Sequence, residues 1–208
     1  PGRREQEIAL MLEARLKKRG CNRLPFDIIV ASGVNSAMPH AKAGDKKLSP
    51  GEFVVIDWGG EAEGYYSDMT RTFLLRGAGY GGGKAGVDFS REKGIYRTVF
   101  QANRKAVSSV VPDCKSKGID EVARNIITNA GYGKFFGHGT GHGVGLEVHE
   151  SPRITWTRSV PIRENMIFTV EPGIYIPGLG GVRIEDMVRV KPGGAEVLTR
   201  LPRDLEIL

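Results

Sequence analysis

The apolar positions divide the chain into three helical stretches and a series of strands. Over Glu5 to Arg19, Ile8, Leu12 and Leu16 recur at i, i+4 and i+8, which predicts one buried helix face. Lys17, Lys18 and Arg19 crowd its end and Gly20 stops it. Phe26 to Ala31 is apolar and β-branched and closes at Ser32-Gly33, so a strand is expected. Ser49-Pro50-Gly51 is a turn. Phe53 to Ile56 reads as a buried strand ending at Asp57. Tyr65 to Leu75, rich in Thr and aromatics, reads as a second strand paired to it through Gly59 to Gly64. Ile95, Val99, Ala102 and Ala106 restore a helical period that stops near Pro112. A third helix is expected from Ile119 to Ala130, with Val122, Ala123, Ile126 and Ile127 on the same face, ended by Gly131. Strands follow at Met166–Val170 and Val182–Val190, with a short one near Glu196–Leu198.

This order repeats weakly. Each half runs from a helix to a closing glycine, Gly20 or Gly131, and then to an apolar strand ended by an acid, Asp57-Trp58-Gly59 or Glu171-Pro172-Gly173. The next predicted strand contains a second acid, Asp68 or Glu185. Asp is disfavoured in strands, and charged groups are rarely buried without partners. The repetition points to convergence of the four acids.

Composition adds limits. The 208 residues are 40% hydrophobic and 26% charged, enough for a packed core in one domain and against wholesale disorder. No apolar run approaches the roughly 18 residues of a membrane helix, so a soluble protein with no membrane partner is expected. Pro1-Gly2-Arg3-Arg4 has no apolar stretch after it, so it is not expected to be a signal peptide. The chain lacks a starting Met, so a processed chain or one cut from something longer is expected. Two cysteines, Cys21 and Cys114, are too few for a disulfide framework, so a reducing, cytoplasmic compartment is expected. The net charge of +6 comes from 30 basic against 24 acidic residues, well mixed and without a run of five like charges. That pattern reads as a solvated surface, not a nucleic-acid site.

Glycine is unusually abundant, at 29 residues. Six fall at 77, 79, 81, 82, 83 and 86, which predicts a flexible loop over Gly77 to Gly86, flanked up to Phe89. Gly77 to Gly82 matches G-x-G-x-x-G formally. The acid that a dinucleotide fold needs about 20 residues later would fall inside a predicted helix. Ala78 and Ala85 occupy the positions where a P-loop requires Gly and Ser or Thr.

Other glycines carry candidate chemistry. His138, His142 and His149, three of the four histidines, lie in Gly137-His138-Gly139-Thr140-Gly141-His142-Gly143-Val144-Gly145-Leu146-Glu147-Val148-His149-Glu150. Glycines let backbone approach a ligand closely, and clustered histidines suit a metal. Four carboxylates and an imidazole, with no thiolate, suit two divalent ions: Mn²⁺ is favoured, with Co²⁺ or Zn²⁺ also compatible. Two such ions lower the pKa of a shared water and polarise a carbonyl.

These segments resemble the pita-bread metallopeptidases, which include methionine aminopeptidase, aminopeptidase P and prolidase. The likeness spans Glu5 to about Leu198. It rests on Val55-Ile56-Asp57-Trp58-Gly59, Ser67-Asp68-Met69-Thr70-Arg71-Thr72, the histidine segment, Thr169-Val170-Glu171-Pro172-Gly173 and Val182-Arg183-Ile184-Glu185-Asp186. His138, four residues before His142, and Arg183, two before Glu185, resemble the aminopeptidase P and prolidase branch. The resemblance implies an α+β pita-bread fold: duplicated half-motifs related by a pseudo-twofold, with a curved antiparallel sheet flanked by helices. It implies metal-dependent hydrolysis of Xaa-Pro bonds in dipeptides or longer peptides, by attack of a metal-bridging hydroxide. Asp57 would chelate one ion, His142 and Glu171 the other, and Asp68 and Glu185 would bridge them. Glu171 would help move the proton. His40 and His149 would contact substrate and stabilise the tetrahedral intermediate, His138 would line the proline side, and Arg183 would orient the acids and relay protons. A proline-containing peptide is thus the implied partner.

Relatives of this branch usually carry a further domain ahead of the first helix, which supports a homodimer and covers the site. Here the chain begins at that helix, so an isolated catalytic domain or a truncated chain is expected. The alternatives are methionine aminopeptidase-type specificity on the same metal set, and a metal-free binding module like some histone-chaperone relatives, which lose the ligands retained here.

Overall fold

The computed structural model describes residues 1–76 and 88–208. The glycine loop expected over Gly77 to Gly86 lies outside them. Helix α1 (Glu5–Lys18) turns Ile8, Leu12 and Leu16 toward a small cluster that includes Ile28, Val30, Leu48, Val54 and Leu75. Helices α2 (Ser90–Ser108) and α3 (Ser116–Asn129) bury Ile95, Val99, Ala102, Ala106, Ile119, Ala123 and Ile127 in a larger core with Phe168, Val170, Ile174, Ile184 and Val188. Asp88 accepts the Ser90 amide at 2.8 Å in a turn just ahead of α2, which begins five residues before its first predicted apolar position. Among the described residues no helix is long and apolar enough to cross a membrane.

The strands form two antiparallel meanders. In the first half, β1 (Ile29–Ser32), β2 (Phe53–Trp58) and β5 (Met69–Leu74) lie in the order β1-β2-β5. The second half contains β6 (Gly141–Gly143), β7 (Glu150–Ile154), β8 (Ile167–Val170), β11 (Asp186–Lys191) and β12 (Gly194–Val197), ordered β12-β11-β8-β6-β7. The central strand of each half is interrupted on its way to the outer one by a hairpin: β3 (Glu61–Ala62) with β4 (Tyr65–Tyr66), and β9 (Gly173–Ile176) with β10 (Gly180–Arg183). In each half a central strand with an acid at its end thus leads through a hairpin to a second acid and the next strand of the sheet.

That arrangement corrects two expectations. Tyr65–Leu75 is not one strand, and neither is Val182–Val190. Both break at the acid, Ser67-Asp68 in one case and Ile184-Glu185 in the other. A side chain inside a ladder is committed to one face of the sheet. A joint between hairpin and outer strand frees the carboxylate to turn toward its counterpart. The first hairpin turns on Glu63 (φ 53°) and Gly64 (φ 84°), the pair of positive angles that a tight two-residue turn requires. The strand expected at Phe26 starts later, at Ile29, and β3, β6, β7 and β9 are not among the expected strands.

Candidate metal centre

All nine residues singled out in the sequence, His40, Asp57, Asp68, His138, His142, His149, Glu171, Arg183 and Glu185, line one cavity of about 960 Å³. The centre forms where the two meanders meet. The Glu185 amide donates to the Thr70 carbonyl at 3.1 Å, and the Thr70 hydroxyl donates to Glu185 Oε2 at 2.6 Å, so the acid of one half is held by the other. Asp68, His142 and Glu185 each offer a ligand atom within 4.8 Å of the others, and all three are buried. His142 Nε2 stands 3.6 Å from Asp68 Oδ2 and 3.4 Å from Glu171 Oε1. Asp57 is gripped from its far side by Arg183, whose Nη2 donates to Oδ2 at 2.7 Å.

The electrostatics ask for cations. Burial, with Asp57 and Glu171 beside it, pushes the Asp68 carboxyl up to about 9. Burial outweighs the pull of Arg183 and, with Asp57, raises Glu171 to about 7. Burial and then Asp68, Glu171 and Asp57 hold Glu185 well above the usual carboxylate range. Like charges this close cannot all ionise unaided. Asp57 Oδ1 and Asp68 Oδ1 are buried with no hydrogen-bond partner among the described residues. Orphaned anionic oxygens are costly unless something positive meets them. Burial also lowers the His142 imidazole to about 4, so the ring is neutral at pH 7. Its Nδ1 lies 3.0 Å from the Gly143 carbonyl. Donation there leaves the Nε2 lone pair facing Asp68 and Glu171 as a ligand. The donor set fits oxygen-preferring dications.

A second layer reaches the acids from behind. Arg183 Nε donates to Thr70 Oγ1 at 3.0 Å and Nη1 to the Tyr175 hydroxyl at 2.9 Å. Tyr175 in turn meets His138 Nε2 at 2.9 Å, while His138 Nδ1 lies 2.8 Å from the Gly139 carbonyl. With Nδ1–H donating to that carbonyl, Arg183, Tyr175 and His138 form a directed chain of donors. Burial lowers His138 to about 4, which keeps it an acceptor. Thr169 links the His142 amide (3.1 Å) to Glu171 Oε1 (3.3 Å). Asn103 on α2 donates to the carbonyls of Val170 (2.9 Å) and Ile184 (3.2 Å), the residues just before Glu171 and Glu185. Gly141 is required by space: a Cβ there would sit 1.8 Å from the Thr169 carbonyl oxygen. His149 is exposed, its ring 4.3 Å from that of His142.

Tyr175, Thr70, Thr169 and Asn103 were not anticipated. The two threonines left a trace, since each stands two residues from an acid and so on the same side of an extended chain. Asn103 and Tyr175 left none, because their partners lie on other elements.

A protein-family model described as metallopeptidase family M24 matches residues 1–192. The chain belongs to that family. Among its relatives, the Xaa-Pro dipeptidase of Pyrococcus horikoshii is 44% identical over 204 residues, covering 98% of this chain and 55% of the relative. The solved prolidase of Pyrococcus furiosus superposes with a TM-score of 0.88 at 44% identity, covering 97% of this chain and 57% of that one. The X-Pro aminopeptidase of Thermotoga maritima gives a TM-score of 0.90 at 42% identity, covering 100% and 56%. The M24 chain described here thus spans about half the length of these relatives. Its architecture is their pita-bread fold, an α+β arrangement of two similar halves.

Proposed function

We propose that this chain hydrolyses the Xaa-Pro peptide bond at the N-terminus of dipeptides or short peptides, using two divalent ions. The observation that carries the reading is the convergence of four carboxylates and a neutral imidazole on one cavity, with Asp57 Oδ1 and Asp68 Oδ1 buried and unpaired among the described residues. Asp57 would hold one ion, His142 and Glu171 the other, and Asp68 and Glu185 would bridge them. The oxygen-rich, thiolate-free set favours Mn²⁺. When bound, the ions would lower the pKa of a shared water and polarise the scissile carbonyl.

The chain's own residues supply the rest. Arg183 orients Asp57 through a 2.7 Å bond and carries the Tyr175–His138 chain to the cavity wall. His40 and His149 stand on the cavity wall where substrate would lie, and Glu171, poised near neutrality by burial, suits proton transfer. An imino nitrogen without a hydrogen needs a site that does not rely on that donor, and His138 would line the side facing the proline ring. The thiols of Cys21 and Cys114 are free, which supports a cytoplasmic setting.

The test compares Ala-Pro, a longer Xaa-Pro peptide and Met-Ala as substrates with added Mn²⁺. Cleavage of the Xaa-Pro substrates alone is expected, and it should vanish in the Asp68→Ala, Glu185→Ala double variant. Equal or faster cleavage of Met-Ala would favour methionine aminopeptidase-type specificity. A chain that retains no metal after dialysis would favour a binding module.

A further inference from the structure

Glu5 has no place in the chemistry above, yet it is a fully buried carboxylate at the first position of α1. A buried charge is costly unless hydrogen bonds compensate it. Glu5 Oε1 accepts the Ser32 amide at 2.7 Å, the Ser32 hydroxyl at 2.9 Å and Asn35 Nδ2 at 3.3 Å. Oε2 accepts Asn35 Nδ2 at 3.1 Å and the Gly44 amide at 3.4 Å. Lys46 Nζ donates to the same Ser32 hydroxyl at 2.9 Å and brings positive charge near. The backbone repeats the tie, since the Glu5 and Gln6 amides donate to the carbonyls of Lys46 and Gly44.

Ser32 and Gly44 are the two ends of one segment, and its far part carries His40 into the cavity. We propose that Glu5 is a positioning residue for His40: its carboxylate closes the base of the Ser32–Gly44 segment and so sets where the imidazole stands. The inference rests on the reading that His40 contacts substrate. The second half of the chain steadies the outer part, through Ser36 Oγ accepting the Gly181 amide at 2.8 Å and the Pro39 carbonyl accepting Arg183 Nη1 at 3.2 Å. At the base, the β1–β2 ladder holds Ser32 and the two α1 amides hold Gly44 and Lys46, while the Glu5 carboxylate is the one side chain among the described residues that joins Ser32, Asn35 and Gly44 directly. Asp120 on α3 does similar work in the other half, accepting the amide and hydroxyl of Thr140 at 3.1 and 2.9 Å between His138 and His142.

The experiment is a double-mutant cycle with Ala-Pro and Mn²⁺, using Glu5→Gln, His40→Ala and the pair. The amide of Gln would oppose the Gly44 and Asn35 donors with N–H groups of its own. Glu5→Gln should lower kcat/KM by about tenfold to a hundredfold, as expected when a group shifts by an ångström or less. In the His40→Ala background the same change should have no further effect on kcat/KM. Mn²⁺ affinity should be unchanged. A parallel NMR reading follows the four histidine ring resonances, in which Glu5→Gln should move that of His40 and leave that of His142 in place. Asn35→Ala, which removes two of the five bonds, serves if Glu5→Gln does not fold. Losses that multiply, or a His40 resonance that does not move, overturn the proposal. A fully active His40→Ala chain would instead overturn the reading of His40, and the resonance alone would then decide the clamp.

Discussion

Asp68 concentrates the energetics of the centre. Its carboxyl is displaced from 3.8 to about 9, with burial the first cause. Between those values the folded, metal-free chain therefore holds a proton there that the unfolded chain has released. Its contribution to stability is full below the unfolded value and is lost as pH rises through the folded one. His142, lowered from 6.5 to about 4, acts in the opposite sense, but only below about 6.5. Between pH 6.5 and 9 the carboxylates act unopposed, so the melting temperature of the chelator-treated protein should fall across that window. Scanning calorimetry at several pH values checks the slope; a flat or rising profile would contradict the assignment. Asp68→Asn removes the titrating group while keeping its shape. At pH 8 the metal-free variant should melt above the metal-free wild type, yet bind Mn²⁺ far more weakly by titration calorimetry.

At the scale of elements, the acids are placed by parts of the fold that never touch a substrate. Asn103 on α2 holds the carbonyls immediately before Glu171 and Glu185. Asn103→Leu would remove the side-chain donor from both carbonyls, at a cost of about 0.5–1.5 kcal/mol for each lost bond. Urea denaturation should show a lower midpoint, and Mn²⁺ affinity should fall with it. Ile95→Ala, on the same helix but away from the acids, should cost about 2–5 kcal/mol with metal affinity retained once the protein is folded. Comparing the two separates support of the centre from support of the core. Gly141 poses a harder limit, since a methyl group there meets the Thr169 carbonyl oxygen at 1.8 Å, so Gly141→Ala should prevent β6 from seating beside β8.

For the whole molecule, the ions and the fold are linked. Asp57 and Asp68 come from one half, His142, Glu171 and Glu185 from the other, so occupancy would tie the meanders together. A ligand that binds only the folded state stabilises it by about 2.7 kcal/mol at a hundred times its dissociation constant. Mn²⁺ should therefore raise the melting temperature in a concentration-dependent way, most at alkaline pH where the bare carboxylates repel. A chelator should reverse the gain.

Much of this protein can be read from its linear pattern, because periodicity and residue type report burial locally. The i, i+4, i+8 face of Ile8, Leu12 and Leu16, the faces of α2 and α3, and the apolar runs before Asp57 and Glu171 all follow from side-chain spacing. The four acids and the glycine-flanked histidines were visible as residues whose types contradict their apolar surroundings. The breaks at Asp68 and Glu185 were not visible, because an extended run looks the same whether it stays in one ladder or passes from a hairpin to another sheet. Nor were Asn103, Tyr175 and the buried Glu5, whose meaning lies in partners on other elements of the fold. Only folding brings such groups within hydrogen-bond reach. The sequence could name the groups able to hold metal, but their distances, protonation and supports come from the meeting of the two halves in three dimensions.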